Sequence, residues 1–326
     1  MRRRDLIALL GSLVLLLPVH GHAQAPVPVI GFLSSRSPSE SELVLTAFRH
    51  GLATIGFREG QNLVIEYRWA EGAYERLPAL AAELVAREVA VIVAAGGDRP
   101  VFAARDASPM TPIVFVGSDN PVKFGLVRSL AKPGGNITGT SLFTSELEGK
   151  RFALLRELVP NARLIAMLVN PHNPTAESDV RAVQEVASAV AQPFQAIHAG
   201  DEQAIDAAFE ALAQQRPDGL LVAHDPFFNS RRHQITALAA RHAIPAIYEF
   251  REFVLAGGLM SYGSRLEENY RRAGIYAGSI LKGAKPADLP VQQPTQLELA
   301  INLKAAKAIG LEIPPALLIQ ADEILE

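Results

Sequence analysis

Few residues in this sequence have the types and spacing that covalent chemistry needs. His224, Asp225 and His233 form the one histidine group worth testing for a metal, but their spacing matches no standard site, and Arg231-Arg232 alongside would repel a cation. No G-x-S-x-G elbow, Walker motif or H-E-x-x-H pair occurs. The G-G-N-I-T-G stretch at 134–139 is not G-x-G-x-x-G; it follows Lys132-Pro133 instead of a buried strand and reads as the approach to a hinge. Asp98 or Asp225 could act as the base of an enzyme, yet neither has a partner acid or nucleophile at a suitable spacing. The chain has no cysteine, which excludes a thiol nucleophile, a cysteine-based zinc site, a disulfide framework and a lipid-modified N-terminal cysteine. Neither a metal nor a cofactor is expected.

Non-covalent recognition of a small molecule suits the polar residues better. Ser34, Ser35 and Ser118 can donate hydrogen bonds, and helix N-termini beside them favour a carboxylate or phosphate. Asp98, Asp119 and Asp225 could take an ammonium or sugar hydroxyls, and Tyr248 and Tyr262 offer flat faces for stacking. Bland roles compete with each of these. Two of the serines between Ser34 and Ser41 suit helix caps, as do Asp98 and Asp225. Gly96-Gly97 could serve only a tight turn, and Tyr248 could line the core.

These residues need elements to place them, and the apolar pattern supplies them. Val27–Leu33, Leu63–Trp69, Val89–Ala95 and Ile113–Val116 read as strands, with helical faces over 40–55 and 77–85 between the first three. The order then restarts: helix 146–159, strand Leu164–Val169, helix 177–190, strand Phe194–His198, helix 202–212, strand Leu220–Ala223, helix 231–242 and strand Ala246–Phe250. Repeated strand–helix units imply parallel sheets with right-handed crossovers. Val91–Asp98 has a counterpart in Leu220–Asp225, and each is followed by a helix and a proline-led strand at Pro112 and Pro245. The fold class is therefore α/β, with two Rossmann-like lobes. The expected division is 27–140 plus 258–285 for the first lobe and 141–257 plus 286–326 for the second. The chain would cross between them near 138–143, 254–258 and 284–290, a three-segment hinge that permits closing motions while limiting twist.

In open parallel sheets, ligands gather beyond the carboxyl ends of the strands. The candidate binding set is therefore Ser34, Ser35, Gly96, Gly97, Asp98, Ser118 and Asp119 in the first lobe. Asn170, Asp225, Tyr248 and Ser261 belong to the second, and Phe143 stands at the first crossing; Asn173, His224, Glu249 and Tyr262 lie beside them.

Length and charge set the rest. The 326 residues suffice for two domains, with half hydrophobic and a fifth charged, which is globular composition. Residues 1–25 carry three arginines and one aspartate, so the formal charge of -3 becomes near -5 after them, which argues against nucleic acid as a partner. Arg2-Arg3-Arg4, the apolar run Leu6–Leu17 and the small residues up to Ala25 have the order of a secretory signal, expected to span 1–25. Pro26 disfavours cleavage after Ala25, so cleavage after Ala23 is preferred; the arginine cluster also allows twin-arginine export, and an uncleaved anchor is the alternative. The apolar run is too short for a permanent membrane helix.

Several strings taken together are specific. They are Pro133–Gly139, Leu147–Pro160 with Gly149-Lys150-Arg151, Glu249–Phe253 leading into Gly257–Gly263, Ile280–Val291, Gln293-Pro294-Thr295 and Ile301–Ala306. Over about residues 27–326 the chain resembles ABC transporter substrate-binding proteins of the type 1 periplasmic-binding fold, in the branch containing tryptophan-binding proteins. The resemblance implies a periplasmic protein that is no enzyme, closes two lobes on a small solute and delivers it to an ABC permease at the inner membrane. It carries Ser34, Ser35, Gly96, Gly97, Ser118, Asp119, Asp225 and Tyr248 over as ligand contacts. Where many relatives have a Thr/Ala-type turn, this chain has Gly96-Gly97-Asp98, and the extra acid changes the charge of the rim. The expected solute is small and polar or aromatic, amino-acid-like or a carboxylate. A monomer is expected, since the lobes must stay free to move and dock. A sensing component in place of a transport one is the alternative within the same class.

Overall fold

A computed structural model describes residues 27–142 and 144–326; the segment read as a secretory signal and Phe143 lie outside the described residues. The chain runs β1 (Val29–Ser34), α1 (Glu42–Thr54), β2 (Val64–Trp69), α2 (Leu77–Ala86), β3 (Val91–Ala95), α3 (Asp98–Ala107), β4 (Ile113–Ser118) and β5 (Ile137–Ser141). It continues through α4 (Glu148–Leu158), β6 (Ile165–Val169), α5 (Ala176–Ala189), β7 (Phe194–His198), α6 (Glu202–Gln215), β8 (Gly219–Val222), α7 (Pro226–Ser230), α8 (Arg232–Arg241), β9 (Ala246–Tyr248) and α9 (Arg251–Leu255). It ends with β10 (Met260–Ser264), α10 (Leu266–Leu281), β11 (Leu297–Asn302), α11 (Leu303–Ala308), α12 (Pro315–Gln320) and β12 (Glu323–Leu325).

The strands form two sheets, one per lobe. The first has the order β2-β1-β3-β4-β5 and is parallel throughout; the second has the order β12-β11-β10-β9-β8-β6-β7, with one antiparallel pairing, β10 to β11. Every residue of β3, β4, β6 and β8 is buried. That is why these strands are unbroken apolar runs: helices cover both faces of a parallel sheet and leave no solvent side to alternate with. In the first lobe, α1 and α10 bring Phe48, Leu52, Tyr270 and Ala273 against Phe32 and Val93. On the opposite face, α2 and α3 bring Leu77, Leu84, Val101 and Ala104 against Leu33 and Ile92. Two glycines let α1 and α10 approach closely: a Cβ on Gly51 would stand 2.0 Å from the Arg271 carbonyl oxygen, and one on Gly274 would stand 2.2 Å from that of Phe48. The second sheet is clad likewise, with Phe152, Leu155 and Val183 on one face and Phe209, Leu212 and Ile235 on the other.

The return segments differ from the expected division. β10 does not return to the first lobe. It pairs with β9, Met260 opposite Ile247, and with β11, Met260 opposite Ile301, because Leu259 and Met260 are needed in the second core. The crossing therefore lies between Ser264 and α10, later than 254–258. Residues 286–292 stay with the first lobe instead of joining the second: Thr138 Oγ1 donates to Leu289 O at 2.6 Å, Val291 N to Leu130 O at 2.7 Å, and Gln292 bridges to Thr140. The stretch 134–139, read as the approach to a hinge, enters β5, which pairs with β4 inside the first sheet and ends at Ser141, just before the chain crosses to α4. Ser41 stands at the N-cap of α1 without bonding a helix amide; its hydroxyl donates to Ser37 O.

Candidate functional site

The carboxyl ends of the strands in the two lobes face one another. On the first lobe, β1 ends in Ser34-Ser35-Arg36, all buried. Ser34 Oγ accepts the Arg36 amide at 3.1 Å within its own turn, and Ser35 Oγ donates to Gly96 O at 2.6 Å, tying the loops after β1 and β3 together. Asp98 is not a cap but the first residue of α3, and its carboxylate accepts the Ser118 hydroxyl at 2.5 Å and the Asp119 amide at 3.5 Å. Burial outweighs the Ser118 hydrogen bond and drives the Asp98 carboxyl up to about 6. Asp119 fastens the first crossing, its Oδ1 accepting the Thr144 hydroxyl at 3.0 Å and the Ser145 amide at 2.9 Å.

On the second lobe, Asp225 does cap a helix. Its Oδ1 accepts the Phe228 amide at 3.1 Å and Asn170 Nδ2 at 3.0 Å. Burial raises its carboxyl in spite of the Asn170 hydrogen bond. Asn173 Nδ2 donates to His224 O at 2.8 Å. The His224 ring donates to Glu249 Oε2 at 2.5 Å, and its backbone amide donates to Glu148 Oε1 at 3.0 Å. Burial pulls the imidazole down, but Glu249 prevails and carries it up to about 10, so His224 is an imidazolium committed to Glu249. His233 is exposed on α8, so the histidine group of the sequence does not converge. Behind His224, Glu148 and Arg151 form an ion pair of 2.9 Å with no exposed side-chain surface, and Arg151 donates to Thr144 O at 2.7 Å and Tyr262 O at 3.2 Å.

The lobes touch along this rim. Tyr74, just past β2, takes the Phe227 amide on its hydroxyl at 3.3 Å and reaches Asp225 Oδ2 at 3.5 Å. Arg99 donates to His172 O at 2.5 Å from Nη2 and 3.2 Å from Nε. Gly97 faces Pro226, and a Cβ on it would stand 2.8 Å from Pro226 Cγ. Between these contacts, Arg36, Gly96, Gly97, His224, Asn229 and Phe250 enclose a cavity with about 320 Å3 between atoms, of which about 20 Å3 can take the centre of a water molecule. Open grooves flank it, about 740 Å3 beside Tyr74 and Arg99 and about 500 Å3 between the start of α1 and α8–α9. A further hollow of about 620 Å3 lies by Asp218 and Pro245, at the amino ends of the second sheet's strands and away from the end where ligands gather.

Of the residues singled out from sequence, Ser34, Ser35, Gly96, Gly97, Asp98, Ser118 and Asp119 lie together on one rim, with Asn170 and Asp225 facing them. Two do not join. Tyr248 is 1% exposed in the second core, stacked on Phe253 with centroids 4.6 Å apart, and Ser261 pairs beside it in mid-sheet. Successive strand residues point to opposite faces; Ile247 takes one core face and Tyr248 the other, so it is Phe250, beyond the strand, that reaches the cavity. Sequence reasoning overlooks Arg36, Tyr74, Asn229 and Phe250. Tyr74 was within reach, since β2 is parallel to β1 and its carboxyl end meets the same rim. Arg36 also carried a signal, a lone cation between an apolar strand and a run of serines.

Residues 27–325 match the model of a family described as ABC transporter substrate binding protein. The chain is 27% identical over 267 residues to a tyrosine-binding protein of Clostridioides difficile (strain R20291), covering 81% of this chain and 76% of that one. It is similar to the structure of an ABC domain in complex with L-Trp from Streptococcus pneumonia, with a TM-score of 0.83 and 23% identity over 91% of this chain and 99% of that one. Against the ligand-free, open structure of a substrate binding protein with adhesive properties from Clostridium difficile, the TM-score is 0.65, with 25% identity over 92% of this chain and 99% of that one.

Proposed function

Since the chain belongs to the family of ABC transporter substrate binding proteins, we propose that it captures a small polar or aromatic solute, amino-acid-like or a small carboxylate, between its lobes and hands it to a membrane permease. The observation that carries this reading is the meeting of the two rims, with Tyr74, Arg99 and Gly97 of one lobe against Asp225, His172 and Pro226 of the other. A solute held by both lobes favours the closed form by its difference in affinity for the two forms, which is how binding becomes a signal to a permease.

The chemistry of the rim suits capture without turnover. Asp98, Asp119 and Asp225 are each engaged by hydroxyl, amide or carboxamide donors, and the one of these that a first-lobe hydroxyl reaches across the cleft, Asp225, is held by Asn170 and the Phe228 amide. The protein acts as a monomer in the periplasm after loss of its N-terminal secretory signal. Among the described residues no helix is long and apolar enough to cross a membrane, and the absence of cysteine leaves no site for a lipid-modified N-terminal cysteine. A thermal-shift screen of the purified protein against amino acids, aromatic carboxylates, purines and sugars tests this reading. A ligand that binds only the folded state raises the melting temperature by mass action. A saturable shift with one compound class and no turnover is expected; conversion of the compound would replace capture with catalysis.

A further inference from the structure

A hollow of about 230 Å3 lies wholly within the second lobe, between α8 and α11 and over the end of β9; no first-lobe residue lines it. Small side chains make its walls: Ala239 and Ala240 on α8, Ala305 and Ala308 on α11, with Ala246 and Gly258 beneath. One buried polar side chain opens into it. Tyr248 is 1% exposed and stacks on Phe253, and among the described residues its hydroxyl has no hydrogen-bond partner. Gly258 lies against that end of the ring: a Cβ there would stand 2.7 Å from Tyr248 Cε2, the carbon next to the one that bears the hydroxyl. Burial alone raises the Tyr248 phenol. The other polar groups of the wall are engaged. Thr236 Oγ1 donates to Ala256 O at 3.0 Å, and Asn302 donates from Nδ2 to Val254 O at 3.3 Å and accepts the Ala305 amide at 2.9 Å. Lys304, the one charged residue of the wall, is exposed at the mouth.

A buried tyrosine hydroxyl normally finds a partner, and one left without carries the cost of its lost hydration. A held water needs about two to four polar partners, and this wall offers one. An amino acid or a sugar would bury charges or hydroxyls against alanine and isoleucine with nothing to pair them. A carboxylate would do the same, because Lys304 stands out at the mouth. A single aromatic ring with one hydroxyl leaves nothing unsatisfied: the ring lies against the apolar wall and its hydroxyl pairs with that of Tyr248, as donor or as acceptor. An apolar cavity of about 150 Å3 is enough for benzene, so this larger hollow has room for a ring and its substituents.

From this we propose that the hollow between α8 and α11 is a second small-molecule site, for a neutral single-ring phenol, with the Tyr248 hydroxyl as its hydrogen-bond partner. Its occupant braces α8 against α11 within one lobe and bridges nothing between the two, so the site is separate from the cleft and does not depend on what the cleft holds.

The test is calorimetry on the purified protein with 4-methylphenol, toluene and 4-methylbenzoate as one matched series. 4-Methylphenol binds, and toluene binds roughly twofold to tenfold more weakly, the scale of one neutral hydrogen bond. Tyr248→Phe keeps the ring and its stack and brings the two to equal affinity. Ala240→Leu, at an exposed helix position that leucine suits, fills the hollow and weakens 4-methylphenol about fivefold to 150-fold. Affinity for 4-methylphenol unchanged in both variants places it elsewhere, the cleft included, and overturns the inference. So does 4-methylbenzoate that binds more tightly than 4-methylphenol and loses that affinity in Ala240→Leu, which would make Lys304 the partner. Failure of 4-methylphenol to bind the parent chain overturns it as well. None of these outcomes touches the reading of the cleft, which the thermal-shift screen decides.

Discussion

Replacing Gly97 by alanine separates the stability of the first lobe from the closure of the two. Gly97 has φ 90° and ψ -168°, a region essentially reserved for glycine, so alanine there costs about 1–3 kcal/mol whether the lobes are open or closed. At roughly 2–4 °C per kcal/mol for a chain of this class, the melting temperature falls by roughly 2–12 °C. The added methyl has a second effect. It would stand 2.8 Å from Pro226 Cγ on the other lobe, well inside the optimal carbon–carbon separation of about 3.5–4.0 Å. That overlap exists only when the lobes are closed. Overpacking of this kind costs about 1–3 kcal/mol, which weakens solute binding by roughly fivefold to 150-fold. Calorimetry with the bound solute gives the affinity, and small-angle scattering gives the lobe separation without it. Pro226→Ala in the Gly97→Ala background removes the atom that is struck, so affinity recovers while the lower melting temperature persists. A lower melting temperature with unchanged affinity, or no recovery in the double variant, would show that Gly97 and Pro226 do not meet in the state that holds the solute.

Three further outcomes follow from the same structure. The folded chain holds a proton on His224 between its ordinary pKa of 6.5 and about 10, where the unfolded chain has released it. The stabilisation is therefore full below pH 6.5, declines above it and is gone once the pH passes about 10, and the melting temperature should track this decline; parallel profiles for His224→Gln and the parent chain would refute the imidazolium. Glu148→Gln strands the fully buried Arg151 guanidinium and should cost about 3–5 kcal/mol in urea unfolding; a loss below 1 kcal/mol would mean that the backbone carbonyls of Thr144 and Tyr262 suffice. Tyr248→Phe keeps the stack on Phe253 and should leave solute affinity unchanged; a tenfold loss by calorimetry would return Tyr248 to the site.

Local sequence was enough for the two-lobe α/β architecture, because covered parallel strands must be continuous apolar runs and Val91–Ala95, Ile113–Val116, Ile165–Val169 and Leu220–Val222 are such runs. It also sufficed for the strand-end rims, since chain order in a parallel sheet dictates which loops share an edge. Tyr248 shows where that reasoning stops. The face on which a short strand residue lands depends on one step of register, and β9 spends its last residue on the core. The fate of β10 was equally hidden, because a five-residue strand reading Met-Ser-Tyr-Gly-Ser suits either sheet and only the demand of the second core for Leu259 and Met260 decides between them. Arg36 and Glu252 are the strongest case. Each is an ordinary charged residue in its own segment; only when the lobes face one another do two unpaired charges, far apart in the chain, border the same groove. Burial of Arg36 and of the Glu252 Oε1 atom, which local sequence does not encode, is what sets the two apart from ordinary solvated charges.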